Sequence, residues 1–184
     1  MPAVLDALYR DHANMVALLR VLDRQLTAFD DAEPVDYEIV GDVLTYCRDY
    51  PDIRHHPIED HLYIVLRNLN PEMAAGAAPI VAEHGALADL AVEASVMLNQ
   101  VLMEMSVSRD EFSTLGRRFV EAQTRHMEAE EKLLFPVALR VLKESHWDDM
   151  ATVVLDPGDD PVFADGAVTR FDRLREVVRE LSGG

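Results

Sequence analysis

Apolar residues recur at steps of three and four positions through most of the chain, and this period predicts amphipathic α-helices. Alternating runs of β-branched residues, which would indicate strands, are nearly missing. Four main helices are expected, over about 4–29, 36–68, 71–105 and 109–137. Prolines and one glycine predict a kink or short break in the second helix, a break in the third and a bend in the fourth, near Pro51 and Pro57, Gly76 and Pro79, and Pro136.

Capping residues mark where these helices begin. Asp36 is an N-cap type, Asn70-Pro71 combines an N-cap with proline at the first helical position, and Ser108 to Glu111 has the spacing of a capping box. Four helices with short connections predict an all-α, up-down antiparallel four-helix bundle over residues 1–143. Residues 144–184 are predicted to extend the same domain with helices packed outside it, over 145–154 and 166–181, around a turn-rich loop at 156–161.

The acidic composition narrows the classes of function. A chain of 184 residues favours one domain, and its net charge of −17 repels phosphate backbones, so no nucleic-acid partner is expected. No apolar run approaches the roughly 20 residues of a membrane span, and the first residues lack the basic and apolar regions of a secretory signal. The single cysteine, Cys47, excludes an internal disulfide and suits a reducing, cytoplasmic location. No membrane partner is expected either.

Histidines carry the strongest functional signal. One stands in the apolar stripe of each main helix, and a glutamate follows two of them by four positions, on the same helical face. Buried without partners, these groups would each cost several kcal/mol, against a total stability of roughly 5–15 kcal/mol. A cation bound by all six side chains would neutralise them: His12, His55, Glu59, His84, His126 and Glu130.

An internal repeat relates these residues. His55 and Glu59 each precede their counterparts by 71 positions, and His12 precedes His84 by 72. Acidic neighbours match as well, with Asp11 opposite Glu83 and Asp60 opposite Glu131. The repeat predicts two similar metal positions, each with two imidazoles, joined by two carboxylates. This donor set favours iron, with manganese and zinc as alternatives.

The segments that carry this pattern resemble the hemerythrin-like, or HHE cation-binding, proteins. They are Arg10-Asp-His12, the HHPIED run at 55–60, Glu83-His84, and the HMEAEEKLLFP run at 126–136, in an order that covers about 1–140. The resemblance implies a four-helix bundle with two non-haem iron ions joined by an oxo or hydroxo bridge. Carried over position by position, it implies as ligands His12, His55, Glu59, His84, His126 and Glu130.

The chain departs from the oxygen-carrying members of that family. They have a further histidine where this chain has Ala88, so two imidazoles are expected on each iron, with open positions that favour rapid oxidation over reversible oxygen storage. Tyr63 stands where the family has phenylalanine and is a candidate neighbour of Glu59. Asp60 could replace Glu59 if the prolines rotate the helix, and is otherwise solvated, like Glu128 and Glu131.

The remaining histidines are assigned other roles. His56 points about 100° away from His55 around a helix, so a capping, supporting or surface role is expected rather than ligation. His61 is expected to be exposed and His146 to be structural, and Cys47 is expected to be a small buried residue.

The resemblance implies that the metal pair binds or reacts with oxygen, nitric oxide or peroxide in a sensing or redox role. Two alternatives stay open: an iron store or donor for the repair of iron centres, and an enzyme that oxidises ferrous iron or consumes peroxide. The sequence does not select one of these three roles, and it does not identify a protein partner.

Overall fold

The computed structural model describes residues 1–154, 160–164 and 169–182, and the fold is all-α, with no β-strand among these residues. Its helices are α1 (Ala3–Asp30), α2 (Tyr37–Tyr50), α3 (His56–Leu69), α4 (Pro71–Ala74), α5 (Ala78–Val81), α6 (His84–Leu102), α7 (Arg109–Ala129), α8 (Phe135–Val141), α9 (Glu144–Val154) and α10 (Asp172–Ser182). The predicted fold class is confirmed.

A π-helical turn, Pro51–His55, joins α2 to α3 where a kink or break was expected. The helix therefore stays continuous, because the His56 N–H donates to the Pro51 carbonyl in the wider i to i+5 pattern. Pro51 and Pro57 explain the change, since neither has an amide to complete an α-helical turn.

A second π-helical turn, Glu130–Leu134, joins α7 to α8 just before Pro136. It takes the place of the predicted bend. The first π-turn ends at His55 and the second begins at Glu130, so each lies at one of the predicted metal ligands. π-turns inside α-helices occur frequently at functional sites.

The predicted helix starts are confirmed by their caps. The Asp36 side chain accepts a hydrogen bond from the Ile39 amide, and Asn70 accepts one from Met73. Ser108 and Glu111 form a complete reciprocal capping box at the start of α7.

The third predicted helix is divided into α4, α5 and α6, and it ends at Leu102 rather than near 105. Within the described residues, one stretch, Ala78–Leu102, is long and apolar enough to cross a membrane by length and composition alone, and it is no clear membrane span. A core helix passes the same test, and α6 packs against α2 and α7.

The C-terminal elements pack on the bundle as expected. Helix α9 packs against α1, and α10 packs against α1 and α2. The predicted loop falls partly at 155–159 and the start of the last predicted helix at 166–168, both outside the described residues. Helix α10 itself begins at Asp172, after a 3₁₀ turn at Thr169–Phe171.

The buried apolar residues form two separate clusters along the bundle. One cluster includes Leu22, Leu44 and Phe119. The other includes Leu8, Leu62 and Leu134. Between them lies a layer of buried histidine and carboxylate side chains. Burial of polar groups at this depth requires partners, so this layer is where a ligand is expected.

Candidate metal centre

The polar layer brings together all six side chains that the sequence singled out, and one more. Both glutamates are 0% exposed, and each histidine is 9% exposed or less. The group consists of His12 from α1, His55 from the first π-turn, His56 and Glu59 from α3, His84 from α6, His126 from α7 and Glu130 from the second π-turn.

These residues form two groups, in each of which four donor atoms lie within 4.8 Å of one another. The first group consists of His12, His55, Glu59 and Glu130. The second consists of His56, Glu59, His84 and His126. The first group thus has two imidazoles and two carboxylates, whereas the second has three imidazoles and one carboxylate.

Glu59 directs its two oxygens to different groups. Its Oε1 lies 3.2 Å from His55 Nε2 and 3.6 Å from His12 Nε2, while its Oε2 lies 3.6 Å from His84 Nε2. Glu130 also directs its two oxygens to different groups. Its Oε2 lies 3.4 Å from His12 Nε2, and its Oε1 lies 3.1 Å from His126 Nε2. The two carboxylates therefore stand between the two sets of imidazoles, each with one oxygen toward either side.

Several of these buried atoms have no hydrogen-bond partner among the residues that the structure describes. They include both oxygens of Glu59, Oε2 of Glu130 and Nε2 of His126. An unsatisfied buried carboxylate oxygen is costly, whereas a cation between the two groups would satisfy these atoms together. The donor set of imidazole nitrogens and carboxylate oxygens fits zinc, iron and manganese. The residues present therefore fit a metal site.

The outer nitrogen of every histidine in the layer contacts a carboxylate. Nδ1 lies 2.9 to 3.4 Å from a carboxylate oxygen in each case, in the pairs His12–Glu131, His55–Asp11, His56–Asp52, His84–Asp60 and His126–Glu83. Such pairing fixes the ring orientation and directs Nε2 inward, and it is a usual feature of metal-binding histidines.

Four of these five contacts follow the internal repeat. His12–Glu131 corresponds to His84–Asp60, and His55–Asp11 corresponds to His126–Glu83. In the first equivalent pair of contacts the carboxylate comes from the other half of the repeat, and in the second pair it comes from the same half as the histidine. The matched acidic positions in the sequence, Asp60 and Glu131, are partly exposed, as expected of solvated residues, and each also contacts a histidine. Glu59 belongs to both groups and Asp60 to neither.

The carboxylates control the protonation of the first group. Burial lowers the pKa of His12, but the adjacent carboxylates of Glu130 and Glu59 outweigh burial and raise the pKa to about 9. For His55, burial is likewise outweighed by the charge of Glu59 and the hydrogen bond to Asp11, which raise the pKa to about 10. Burial raises the pKa of Glu130, but three adjacent imidazoles, His12 first, bring it well below its usual range. Without a metal, protons take the place of the cation.

His56 behaves differently. Burial lowers its pKa to about 2, and the neighbouring imidazoles of His84, His55 and His126 add to that effect. Its ring stacks on His84 with the centroids 4.0 Å apart and the planes at 8°. A neutral imidazole is the form that binds a metal ion.

His56 is buried in the layer, so the surface role that was among its expected roles is wrong. His55 and His56 point in different directions, and each imidazole enters a different group, where His56 is a further candidate ligand. The spacing contains the signal, since Glu59 follows His56 by three positions and His55 by four, and both spacings share a helical face. The expected two imidazoles at each metal position stay a prediction, beside which the second group offers the third imidazole of His56.

The other candidates lie outside both groups. The half-buried Tyr63 packs on the Leu62 cluster with Arg67 over its ring. Glu128 is exposed and pairs with Lys132, as expected of a solvated residue. His61 is half-buried rather than exposed. His146 accepts a hydrogen bond from the Lys143 amide at the start of α9, which is a structural role.

Cys47 is fully buried, and burial raises the pKa of its thiol to about 12. The expectation of a small buried residue is confirmed.

Comparison with known proteins gives one match. The family model for the hemerythrin HHE cation binding domain matches residues 3–146. No curated protein and no solved structure matches the chain.

Proposed function

The chain belongs to the hemerythrin family of HHE cation-binding domains, and from this premise we propose that it binds two non-haem iron ions in the polar layer. We propose further that the iron pair binds or reacts with oxygen, nitric oxide or peroxide in a sensing or redox role. The observation that carries the proposal is the pair of buried carboxylates, Glu59 and Glu130, between two sets of imidazoles.

The placement of the carboxylates supports two ions. Glu59 has one oxygen toward each group, as a carboxylate shared by two ions would have. Glu130 is placed in the same way. Carboxylates can join two ions because their two oxygens have separate lone pairs. The proposed ligands are His12, His55, Glu59, His84, His126 and Glu130, joined by His56.

Iron supplies electron exchange with small oxygen- and nitrogen-containing molecules when it is bound. The protein's contribution is to hold two negative charges in a dry layer and to fix the direction of each imidazole. Outer carboxylates accept hydrogen bonds from Nδ1 of four of the histidines, so that Nε2 stays available on the inner side; the four are His12, His55, His56 and His126. Apolar clusters on both sides of the layer exclude bulk water from it.

Burial favours a resident metal over a stored one. All seven side chains are 9% exposed or less, so release of an ion requires the helices to separate around it. A store or donor that loads and releases iron readily would need a more open site. We therefore rank the store or donor below the sensing or redox role, with the peroxide-consuming or iron-oxidising enzyme as the second candidate.

The proposed partner is a small molecule. The net charge of −17 supports neither a nucleic-acid nor a membrane partner, and the buried single cysteine supports a cytoplasmic location. These assignments rest on charge and composition.

Iron loading without oxygen tests the proposal. Protein saturated with ferrous iron and freed of excess is expected to contain two ions per chain by elemental analysis, and a saturating value of one would refute the pair. Separate additions of oxygen, nitric oxide and peroxide, followed by absorbance, then identify the reactant. Repeated consumption of peroxide would indicate an enzyme, a single stoichiometric change a sensor, and rapid loss of iron to a chelator a store or donor.

A further inference from the structure

A chain of polar contacts leads from the metal centre to two tyrosines. Asp11, whose Oδ2 lies 3.4 Å from His55 Nδ1, accepts a hydrogen bond at Oδ1 from the Tyr50 hydroxyl at 3.3 Å. The Tyr50 ring stacks on Tyr46, with centroids 5.0 Å apart and planes at 20°. Tyr46 in turn donates a hydrogen bond of 2.8 Å to Asp160. Each phenol thus has a carboxylate as its acceptor.

The bundle does not require this arrangement. The positions 71 residues after Tyr46 and Tyr50 are Arg117 and Glu121, so the second half of the repeat has no aromatic pair there. Glu83, the counterpart of Asp11, holds His126 without a tyrosine beyond it in any contact that the described residues show. The tyrosine pair is therefore an addition to one side of the centre.

Both tyrosines keep their protons at neutral pH. Burial raises the pKa of Tyr50 and Tyr46, and the negative charges of Asp11 and Asp160 add to that effect. A neutral phenol is a poor electron donor unless its proton leaves with the electron. The hydrogen-bonded carboxylates supply the acceptors for those protons.

We propose that Tyr50 is an electron donor to the metal centre, that Asp11 accepts its proton, and that Tyr46 shares the resulting oxidation. The proposal rests on the proposed function, because it requires a bound iron pair that hydrogen peroxide oxidises. The tyrosines would supply an electron when the iron pair cannot supply two.

The step balances as follows. Reduction of one hydrogen peroxide to two water molecules breaks the O–O bond and consumes two electrons and two protons. A bound iron pair, half reduced, would supply one electron. Tyr50 supplies the second electron through Asp11 and His55, and its O–H bond breaks as the proton passes to Asp11. Asp11 keeps this proton, solvent supplies the two protons of the waters formed, and Tyr50 remains as a neutral phenoxyl radical.

Electron paramagnetic resonance tests the proposal. The full chain is loaded with iron, reduced by one electron per pair, mixed with hydrogen peroxide and frozen rapidly. The unaltered protein is expected to give a phenoxyl radical signal that narrows when the tyrosines carry deuterium. Tyr50→Phe, which keeps the stacked ring, is expected to lose the signal, while Tyr46→Phe retains it with a changed lifetime.

Tyr37→Phe is the matched control and is expected to leave the signal unchanged, since Tyr37 packs on the apolar cluster away from the layer. Zinc-loaded protein treated with peroxide is expected to give no radical. The tyrosine proposal is overturned if iron is oxidised without a radical, if Tyr50→Phe keeps the signal, or if the zinc form gives it. Absence of any optical change of the iron with peroxide would instead refute the peroxide reaction of the proposed function, and the tyrosine role with it.

Discussion

The two halves of the bundle, α1 to α3 and α5 to α8, place equivalent charged groups in one layer but surround them differently. Each half supplies a histidine from its first long helix, and a histidine and glutamate from its second. The outer carboxylates also correspond across the repeat. Balance of buried charge explains this correspondence, because the two buried carboxylates, Glu59 and Glu130, each lie near imidazoles of both halves.

The differences lie around α2 and α3. The first half has His56 and Asp52 where the second has Met127 and Gln123, and it alone has the stacked tyrosines. The residues that correspond in the two halves therefore carry the buried charge of the layer. Of the residues found only in the first half, His56 adds an imidazole to the second group, and the tyrosines connect to the first group through Asp11. The repeat explains why the centre exists, and its departures indicate where the chemistry is asymmetric.

Removal of a proposed ligand should have the largest effect and should separate the two positions. Glu59→Ala is expected to lose both ions, because Glu59 belongs to both groups. His12→Ala and His84→Ala, which each alter one group, are expected to retain about one ion per chain at limiting iron. Elemental analysis after gel filtration measures this, with thermal unfolding to show that each variant is folded.

Glu128→Ala is the matched control, because Glu128 is on α7 near the layer but its side chain is exposed and paired with Lys132. It is expected to retain both ions. Equal iron content in Glu59→Ala and Glu128→Ala would contradict the placement of Glu59 between two ions.

The raised pKa values of His12 and His55 predict that the stability of metal-free and metal-loaded protein depends differently on pH. The pKa values of His12 and His55 in the folded state, about 9 and about 10, lie above the ordinary value of 6.5. A group with a raised pKa stabilises the folded state fully below its unfolded value and loses that contribution as pH rises through the folded value. The free energy of unfolding of the metal-free protein should therefore fall between about pH 6.5 and about pH 10.

Metal-loaded protein should not show this decline, because its imidazoles are already deprotonated and the cation replaces their protons. Chemical denaturation of both forms across that range measures the difference. A parallel decline in the two forms would mean that the metal does not bind through these histidines. His56, with its pKa at about 2, holds no proton in the folded state, so it contributes a rise in stability as pH rises through the unfolded value of 6.5, and nothing at higher pH.

The fold and much of the layer follow from the sequence because their causes are local. Helical period and capping side chains specify the bundle, and an i, i+4 spacing places Glu59 beside His55 whatever the rest of the chain does. The outer contacts are not local: the repeat matches Asp60 with Glu131, but which histidine each contacts depends on how α1, α3, α6 and the second π-turn cross.

The π-turns explain the rest of the difference. Pro51 was interpreted as a break because proline ends an α-helical hydrogen-bond pattern, whereas the wider turn absorbs it and keeps the helix continuous. The width of the layer, which admits both His55 and His56, depends on neighbouring helices and has no signature in a single segment. Ala88 on α6 stands where the oxygen carriers have an imidazole. A further candidate imidazole, that of His56, comes instead from α3.

His56→Met tests the asymmetry by giving the first half the residue of the second. The variant is expected to weaken metal binding at the second group by more than about 10–100-fold, the range that residues supporting a metal ligand usually give, because a ligand itself is lost. The first group, which lacks His56, should bind as before. Metal titration with a competing chelator resolves the two steps.

Met127→Leu is its control, because it changes the equivalent position of the second half with little change in volume. Both affinities should stay unchanged in that variant. If His56→Met also left both affinities unchanged, His56 would be a stacking partner of His84 rather than a ligand.

The smallest effect concerns two glycines at equivalent helix contacts, Gly116 of α7 against Leu26 of α1 and Gly41 of α2 against Leu98 of α6. The leucines are 72 positions apart, like His12 and His84. A Cβ on Gly116 would lie 2.6 Å from a Leu26 methyl carbon, whereas one on Gly41 would lie 3.4 Å from Leu98.

Overpacking should make Gly116→Ala destabilising by about 1 kcal/mol, the lower end of the usual cost, because the Leu26 methyls can shift. Gly41→Ala has room for its methyl and should be stabilising by roughly 0.5 kcal/mol, since alanine is the better helix former. Denaturant unfolding of the metal-loaded variants measures both, and equal changes in the two would show that α1 and α7 approach no more closely than α2 and α6.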